Sequence, residues 1–205
     1  MTRPAVFLDR DGVVNRAPRS RGRPRSPAGL HELEILPDVA QALDALKLRG
    51  YALIVVTNQP DVARGIRSRR DVEEIHRHLA RELAIDAIFC CFHDGDACDC
   101  RKPKPGLLLR AARDLAIDLP ASHMVGDRWS DVEAGRSAGC STFFVDRGYA
   151  ERRPSRPDHR VASLRQAADI ILAQPGAWPA APAITAPAAS PFGARAAARP
   201  ERPPA

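Results

Sequence analysis

The chain has 205 residues and a mass of 22.3 kDa, with 44% hydrophobic and 27% charged side chains, which suits one domain and excludes wholesale disorder. Its 31 Lys+Arg against 25 Asp+Glu give a net charge of +6 and a pI near 9.5, a surplus that favours anionic partners without singling out nucleic acid. No apolar run approaches the roughly 18 residues needed to cross a bilayer, and Asp9 and Asp11 interrupt any secretory leader, so a cytoplasmic, non-membrane protein is expected.

The first apolar run, Ala5-Val6-Phe7-Leu8, ends abruptly at Asp9-Arg10-Asp11-Gly12. Short continuous aliphatic runs read as strands buried on both faces, as in a parallel sheet. Asp9 would then direct a carboxylate past the strand end, with Asp11 two residues on and Gly12 permitting a tight turn. Taken alone, a solvated turn is the plain alternative for both carboxylates. Residues 16–26, RAPRSRGRPRS, hold five arginines and two prolines and read as a loop. Arg19 and Ser20 are candidates for gripping a second, non-reacting phosphate, and a solvated basic loop is the alternative. Asp38 is expected to cap a helix carrying Val39, Leu43, Leu46 and Leu48, with Gly50 as its stop. Between Gly12 and the second strand this helix takes up much of the chain, and the roughly twenty residues left are too few for a separate cap domain.

The second strand, Ala52 to Val56, runs into Thr57-Asn58-Gln59, and Ser68 is placed to cap a helix with Val72, Ile75, Leu79 and Leu83 on one face. A third, Ala87-Ile88-Phe89, leads into Cys91-Phe92-His93 and Cys98-Asp99-Cys100. Cysteines clustered in a chain without an export signal point to metal or redox chemistry before disulfides. Three thiolates and an imidazole suit a closed tetrahedral Zn²⁺ site, the alternative being buried thiols in a loop. Lys102 follows directly, and a helix from Gly106 to Ala116 comes next. His123-Met124-Val125 stops at Gly126-Asp127, ahead of a helix from Ser130 to Ala138, a strand Thr142–Val145 and a last helix Leu164–Leu172. Strand and helix alternate, which predicts a doubly wound α/β sheet over residues 1–174. Residues 175–205 are Pro/Ala-rich and are expected to form a disordered tail.

In open α/β sheets ligands bind beyond the carboxyl ends of the strands. Asp9, Asp11, Thr57 and Asp127 all fall at such ends. Their carboxylates are the hard oxygen ligands that Mg²⁺ takes. A carboxylate attacks a phosphate dianion poorly unless cations screen the repulsion, which Mg²⁺ and the Lys102 ammonium would do while the Thr57 hydroxyl meets a phosphoryl oxygen. Asp11 would protonate the leaving oxygen and later deprotonate water.

Four segments carry a family resemblance: FLDRDG (7–12), TNQ (57–59), RKPKPG (101–106) and GDRWSD (126–131). Together they resemble the four motifs of the haloacid-dehalogenase superfamily. The match is closest to the D,D-heptose 1,7-bisphosphate phosphatases and the related histidinol-phosphate phosphatases, over residues 5–172. The resemblance implies a parallel sheet of that superfamily with a zinc-bound loop, Asp9 as the nucleophile and Asp11 as general acid and base. It places Mg²⁺ on the Asp9 carboxylate, the Asp11 carbonyl and Asp127, with Asp131 behind them. Thr57 and Lys102 would stabilise the phosphoryl group, and Arg19, Ser20, Asn58, Gln59 and Arg101 would contact substrate. Zinc would sit on Cys91, His93, Cys98 and Cys100, fixing the approach of Arg101 and Lys102. Cys90 would then face the core, and Cys140 reads as a small buried hydrophobe. Two features depart from the heptose pattern: Pro60 stands where a small hydroxyl residue is common, and the loop between His93 and Cys98 is short.

The expected activity is removal of the 7-phosphate from a heptose 1,7-bisphosphate by a monomer, with histidinol phosphate as the alternative substrate. A zinc-containing nucleic-acid-binding module is the competing class. Against it stand an aromatic content of 5% and the lack of a basic helix with interleaved aromatics.

Overall fold

The computed structural model describes residues 2–20 and 23–174, and the tail expected over 175–205 lies outside them. The strands are β1 (Ala5–Leu8), β2 (Arg19–Ser20), β3 (Arg23–Pro24), β4 (Ala52–Asn58), β5 (Ala87–Cys91), β6 (His123–Gly126), β7 (Ser141–Val145) and β8 (His159–Val161). The helices are α1 (Val39–Leu48), α2 (Arg69–Glu82), α3 (Gly106–Leu115), α4 (Trp129–Ala138) and α5 (Leu164–Ala173). Six strands form one sheet in the order β5-β4-β1-β6-β7-β8, every neighbouring pair parallel.

Strand alternation divides the core between the two faces of this sheet. Val6 and Leu8 of β1, with Leu53 and Val55 of β4, pack among Leu43 and Leu46 of α1, Ile75 and Leu79 of α2, and Ile171 of α5. Ala5 and Phe7, with Ile54 and Val56, face the opposite way onto Leu107, Leu108 and Ala111 of α3 and Ala134 of α4. Both faces are covered, which is why the central runs Ala5–Leu8 and Ala52–Val56 are apolar throughout. The predicted doubly wound α/β sheet is therefore present.

The sheet winds outward from β1 in both directions, toward β5 on one side and β8 on the other. Beside β1 the chain direction switches, and the crevice beyond Leu8 lies between the ends of β4 and β6.

Three local expectations need correction. Asp38 does precede α1, yet its backbone is left-handed (φ 62°) and its side chain makes no capping hydrogen bond. Residues 16–26 are not loop throughout, because Arg19↔Pro24 and Ser20↔Arg23 pair as a short antiparallel hairpin. The strand β8 has no apolar run to announce it. Its three residues are held on the sheet edge by pairing with β7 and by His159 stacked on Phe143 at 4.4 Å between centroids. Ser68 caps α2 as expected, accepting from the Asp71 N–H at 3.1 Å. Gly50 (φ 91°) and Gly139 (φ 84°) follow α1 and α4 at their predicted stops.

Candidate active site

A cleft of about 840 Å³ opens beyond the carboxyl ends of β1, β4 and β6, lined by Asp9, Asp11, Thr57, Lys102, Asp127 and Asp131 among others. Register brings them together. Leu8 pairs with Val55 on one side and Val125 on the other, and the Asp9 N–H donates to the Val125 carbonyl at 2.9 Å. Asp9 thus leaves β1 between Thr57 and Asp127.

Lys102 organises the floor. Its buried ammonium donates to Asp9 Oδ1 at 2.8 Å and to the Val56 carbonyl at 2.8 Å, and pairs with Asp131 Oδ1 at 2.6 Å. Those three contacts match the three N–H bonds of an ammonium. Burial alone would depress Lys102, but the charges of Asp131 and Asp9 outweigh it and raise the pKa above its ordinary value. For Asp9, burial is the largest influence. Opposed by Lys102 and aided by Asp131 and Asp11, it moves the carboxyl up to about 6. Asp127 is raised well above the usual carboxylate range, first by burial and then by Asp9 and Asp131.

The fit of this cluster to a hard cation rests on Asp127. Both its carboxylate oxygens are buried and make no well-formed hydrogen bond among the described residues, with the Tyr149 hydroxyl beside them. Ligand oxygens of Asp9, Asp127 and Asp131 all lie within 4.8 Å of one another. Three crowded carboxylates, two of them with raised pKa values, suit a divalent cation. Asp131 is already occupied: one oxygen pairs with Lys102, and the other accepts the Arg128 N–H at 2.9 Å, capping α4. That leaves Asp9 and Asp127 as the freer donors. Gly12 has φ +94°, and a Cβ there would stand 1.8 Å from Asp127 Oδ2, so only glycine lets the turn pass this close to the cluster.

Asp11 sits in a ring of donors. Arg10 Nε (3.0 Å) and Asn15 Nδ2 (3.0 Å) donate to Oδ1; Arg10 Nη2 (2.9 Å), Ser26 Oγ (2.7 Å) and Gln59 Nε2 (2.9 Å) donate to Oδ2. Burial works against the ionised form, but the Arg10 charge and the hydrogen bonds from Arg10, Ser26 and Asn15 hold the carboxyl below its ordinary value.

Of the expected substrate contacts, Asn58 and Gln59 have other partners. Asn58 exchanges hydrogen bonds with the backbone of Lys102 (3.0 and 3.1 Å), locking that residue beside β4. Gln59 is buried and spans Asp11 and Thr57, donating to Thr57 Oγ1 at 3.0 Å. The Thr57 hydroxyl accepts that hydrogen bond. Arg19 and Ser20 lie on the hairpin and are not among the cleft-lining residues; Arg19 donates to the Arg147 carbonyl at 3.1 Å and covers the Tyr149 ring. Arg25 and Ser26 of the same segment do line the cleft, as does Arg101. Trp129 and Ser130 at the start of α4 complete the wall, where helix N–H groups favour an anion.

The cysteine segment gathers beside this cleft. Cys91 Sγ lies 3.6 Å from His93 Nδ1 and 3.7 Å from Cys98 Sγ; Cys100 Sγ lies 3.2 Å from Cys91 Sγ and 3.3 Å from His93 Nδ1. A tetrahedron with Zn–S bonds of about 2.3 Å has edges of about 3.8 Å, so four soft donors at these separations fit such an ion. Cys140 is buried in the core, where burial pushes its thiol up to about 12. Cys90 is half-buried rather than fully inside, and lies near Arg10 and Asp11.

Arg10, Asn15, Ser26 and His76 were not legible as site residues. Each matters through Asp11 or through a residue that touches Asp11.

A parallel sheet bearing this carboxylate–lysine–threonine cleft at its switch point defines a phosphatase of the haloacid-dehalogenase superfamily. A HAD-hydrolase-like family model matches residues 99–167. The D-glycero-beta-D-manno-heptose-1,7-bisphosphate 7-phosphatase of Photorhabdus laumondii is 39% identical over 185 residues, covering 82% of this chain and 89% of the relative. Its Escherichia coli K12 counterpart is 37% identical, covering 82% and 88%. The crystal structure of D,D-heptose 1,7-bisphosphate phosphatase from B. bronchiseptica, complexed with magnesium and phosphate, superposes with a TM-score of 0.67 at 31% identity, covering 82% of this chain and 98% of that one. The chain belongs to the D,D-heptose 1,7-bisphosphate phosphatase family.

Proposed function

We propose that the protein removes the 7-phosphate of D-glycero-β-D-manno-heptose 1,7-bisphosphate by transferring it to Asp9. The observation that carries this reading is the Asp9–Lys102 contact at 2.8 Å, in a cleft that also presents Thr57 and the buried carboxylate of Asp127. Asp9, the Asp11 backbone carbonyl and Asp127 would hold Mg²⁺, with Asp131 behind them; when bound, that ion screens the charge between carboxylate and phosphate. The Asp9 carboxylate attacks phosphorus and the phosphorus–sugar oxygen bond breaks. Asp11, ionised in its ring of donors, takes up a proton from solvent as the substrate's negative charge enters the cleft and gives it to the departing sugar oxygen. A water then enters, Asp11 takes its proton, and the acyl phosphate is hydrolysed. Thr57 meets a phosphoryl oxygen, and Lys102, whose N–H bonds are held by Asp9, Asp131 and the Val56 carbonyl, supplies positive charge beside the transferring group. Arg25 and Arg101 in the cleft wall supply cations for the phosphate that is kept, whereas Arg19 and Ser20 lie outside the cleft and would reach it only by leaving the positions they hold on the hairpin. Zn²⁺ held by Cys91, His93, Cys98 and Cys100 would fix the segment that presents Arg101 and Lys102.

The test compares kcat/KM for the heptose 1,7-bisphosphate and for histidinol phosphate, with ³¹P NMR of the sugar product. The bisphosphate is expected to be favoured by on the order of a hundredfold, with the 1-phosphate resonance retained. Preference for histidinol phosphate, or loss of the 1-phosphate, contradicts the reading.

Magnesium affinity should depend on pH in one direction. Asp9, raised to about 6, and Asp127, also raised, bind protons that the ion must displace. Their folded pKa values exceed the unfolded ones, so they favour the metal-free fold below about pH 4, an advantage lost as pH rises through 6. Bound Mg²⁺ offsets that loss. The rise in Tm on adding Mg²⁺ should therefore be small at pH 5 and grow toward pH 7.5. An equal shift at both pH values would contradict this.

A further inference from the structure

Between the two carboxylates that follow β1 stands a side chain of opposite charge that does not line the cleft. Arg10 is 0% exposed and the largest fully buried side chain among the described residues. A guanidinium withdrawn from water needs acceptors for its N–H groups. Asp11 supplies two: Nε and Nη2 form a fork across both carboxylate oxygens, at 3.0 and 2.9 Å. The remaining arm, Nη1, lies 3.0 Å from Nε2 of His76, a fully buried residue of α2.

Arginine keeps its protons, so the imidazole must accept through an unprotonated Nε2. Burial and then the Arg10 charge push His76 down to about 3, which keeps the ring neutral at physiological pH. His76 comes from a helix packed in the core beneath the sheet, and so anchors Arg10 to a rigid element. Asn15, Ser26 and Gln59 each reach a single oxygen of Asp11. Among the described residues only the Arg10 fork engages both oxygens, and it thereby sets the plane of the carboxylate.

We infer that Arg10, anchored by His76, is a positioning residue that orients the Asp11 carboxylate for proton transfer to and from the reacting ester oxygen. The inference rests on the acid–base role proposed above for Asp11, and it adds two residues that neither line the cleft nor approach the phosphate. Misplacing a catalytic group from a distance costs up to about a hundredfold in rate.

The test uses His76→Leu, which removes the acceptor, and His76→Gln, whose side-chain carbonyl restores one. Thermal unfolding selects folded protein. With a sugar phosphate, whose leaving group needs an acid, His76→Leu is expected to lose about ten- to a hundredfold in kcat, with KM changed by less than about twofold. His76→Gln should recover most of that loss. With 4-nitrophenyl phosphate, whose leaving group needs no acid, His76→Leu should still release a stoichiometric burst of nitrophenol before a slow steady state. The burst separates a misoriented Asp11 from a damaged Asp9. Arg10→Lys, which keeps the charge and loses the fork, decides by the same burst if His76→Leu does not fold. Asp11→Asn, run alongside, should give the same burst; its absence there would overturn the acid–base reading of Asp11. A burst in Asp11→Asn with wild-type kcat in folded His76→Leu would overturn the inference alone. Loss of the burst in folded His76→Leu would overturn it as well.

Discussion

Asp9→Asn is expected to lower kcat by on the order of 10⁵ while leaving the protein folded. An amide cannot attack phosphorus at a useful rate, and the other groups in the cleft have no substitute nucleophile. The fold should tolerate the change because burial already disfavours the Asp9 charge, raising its pKa to about 6. Lys102 keeps Asp131 and the Val56 carbonyl as partners. A neutral isostere therefore removes little stabilisation, and Tm should move by only a few degrees, about 1 kcal/mol or less. Stopped phosphate release with a native-like melting curve is the expected pair of results. Asp11→Asn should behave differently. It loses steady-state turnover, yet the intact Asp9 should still accept phosphate from a substrate with a good leaving group.

Removing zinc is expected to have the second largest effect, and to act on structure and turnover together. Cys91 belongs to β5 and the core, whereas His93, Cys98 and Cys100 lie on a segment with no core of its own. Lys102 follows Cys100 by two residues, so the position of its ammonium depends on how that segment is closed. Structural zinc sites contribute on the order of 10 kcal/mol of binding free energy, which appears directly as folding free energy where the site does not preform. Protein purified without chelator should contain one zinc per chain. Cys100→Ser or chelator treatment should remove it, lower Tm, and reduce kcat at least about tenfold, with no recovery on adding Mg²⁺. Cobalt in its place should show the thiolate-to-metal absorption of a sulfur-rich tetrahedral site. Metal-free protein with full activity would contradict this account.

The two predictions draw on different degrees of legibility. Motif order and the ends of short apolar runs were enough to locate Asp9, Thr57, Lys102 and Asp127 at one edge of one sheet, because a parallel α/β architecture gathers its strand ends there. The C-x-H…C-x-C spacing likewise predicted four donors that do converge. Other features depend on contacts that no local pattern encodes. Arg10 reads as a surface arginine, and its complete burial follows only from the approach of α2 and His76. Asn58 and Gln59 stand at the strand end as predicted, but their amides hold Lys102, Asp11 and Thr57. Two amides facing several stronger anchors are drawn to whichever arrangement satisfies the most donors, and sequence alone does not rank those arrangements. Asp38 fails as a side-chain cap because its backbone is left-handed there, with the first turn of α1 served by its carbonyl, which accepts the Ala42 N–H at 3.0 Å. Ser26 reaches Asp11 across fifteen residues on a segment whose Ser26 carbonyl accepts from both Arg67 (2.6 Å) and Arg25 (3.1 Å).

A phosphoryl group that passes through Asp9 is caught there most directly by chemical trapping. The Asp11→Asn variant is mixed with excess 4-nitrophenyl phosphate and Mg²⁺, quenched in acid, reduced with borohydride and digested. An acyl phosphate at Asp9 is reduced to homoserine, so the peptide spanning residue 9 should carry that mass change, and the same peptide from Asp9→Asn should not. An unmodified residue 9 in a sample that has released a burst of nitrophenol would contradict the mechanism.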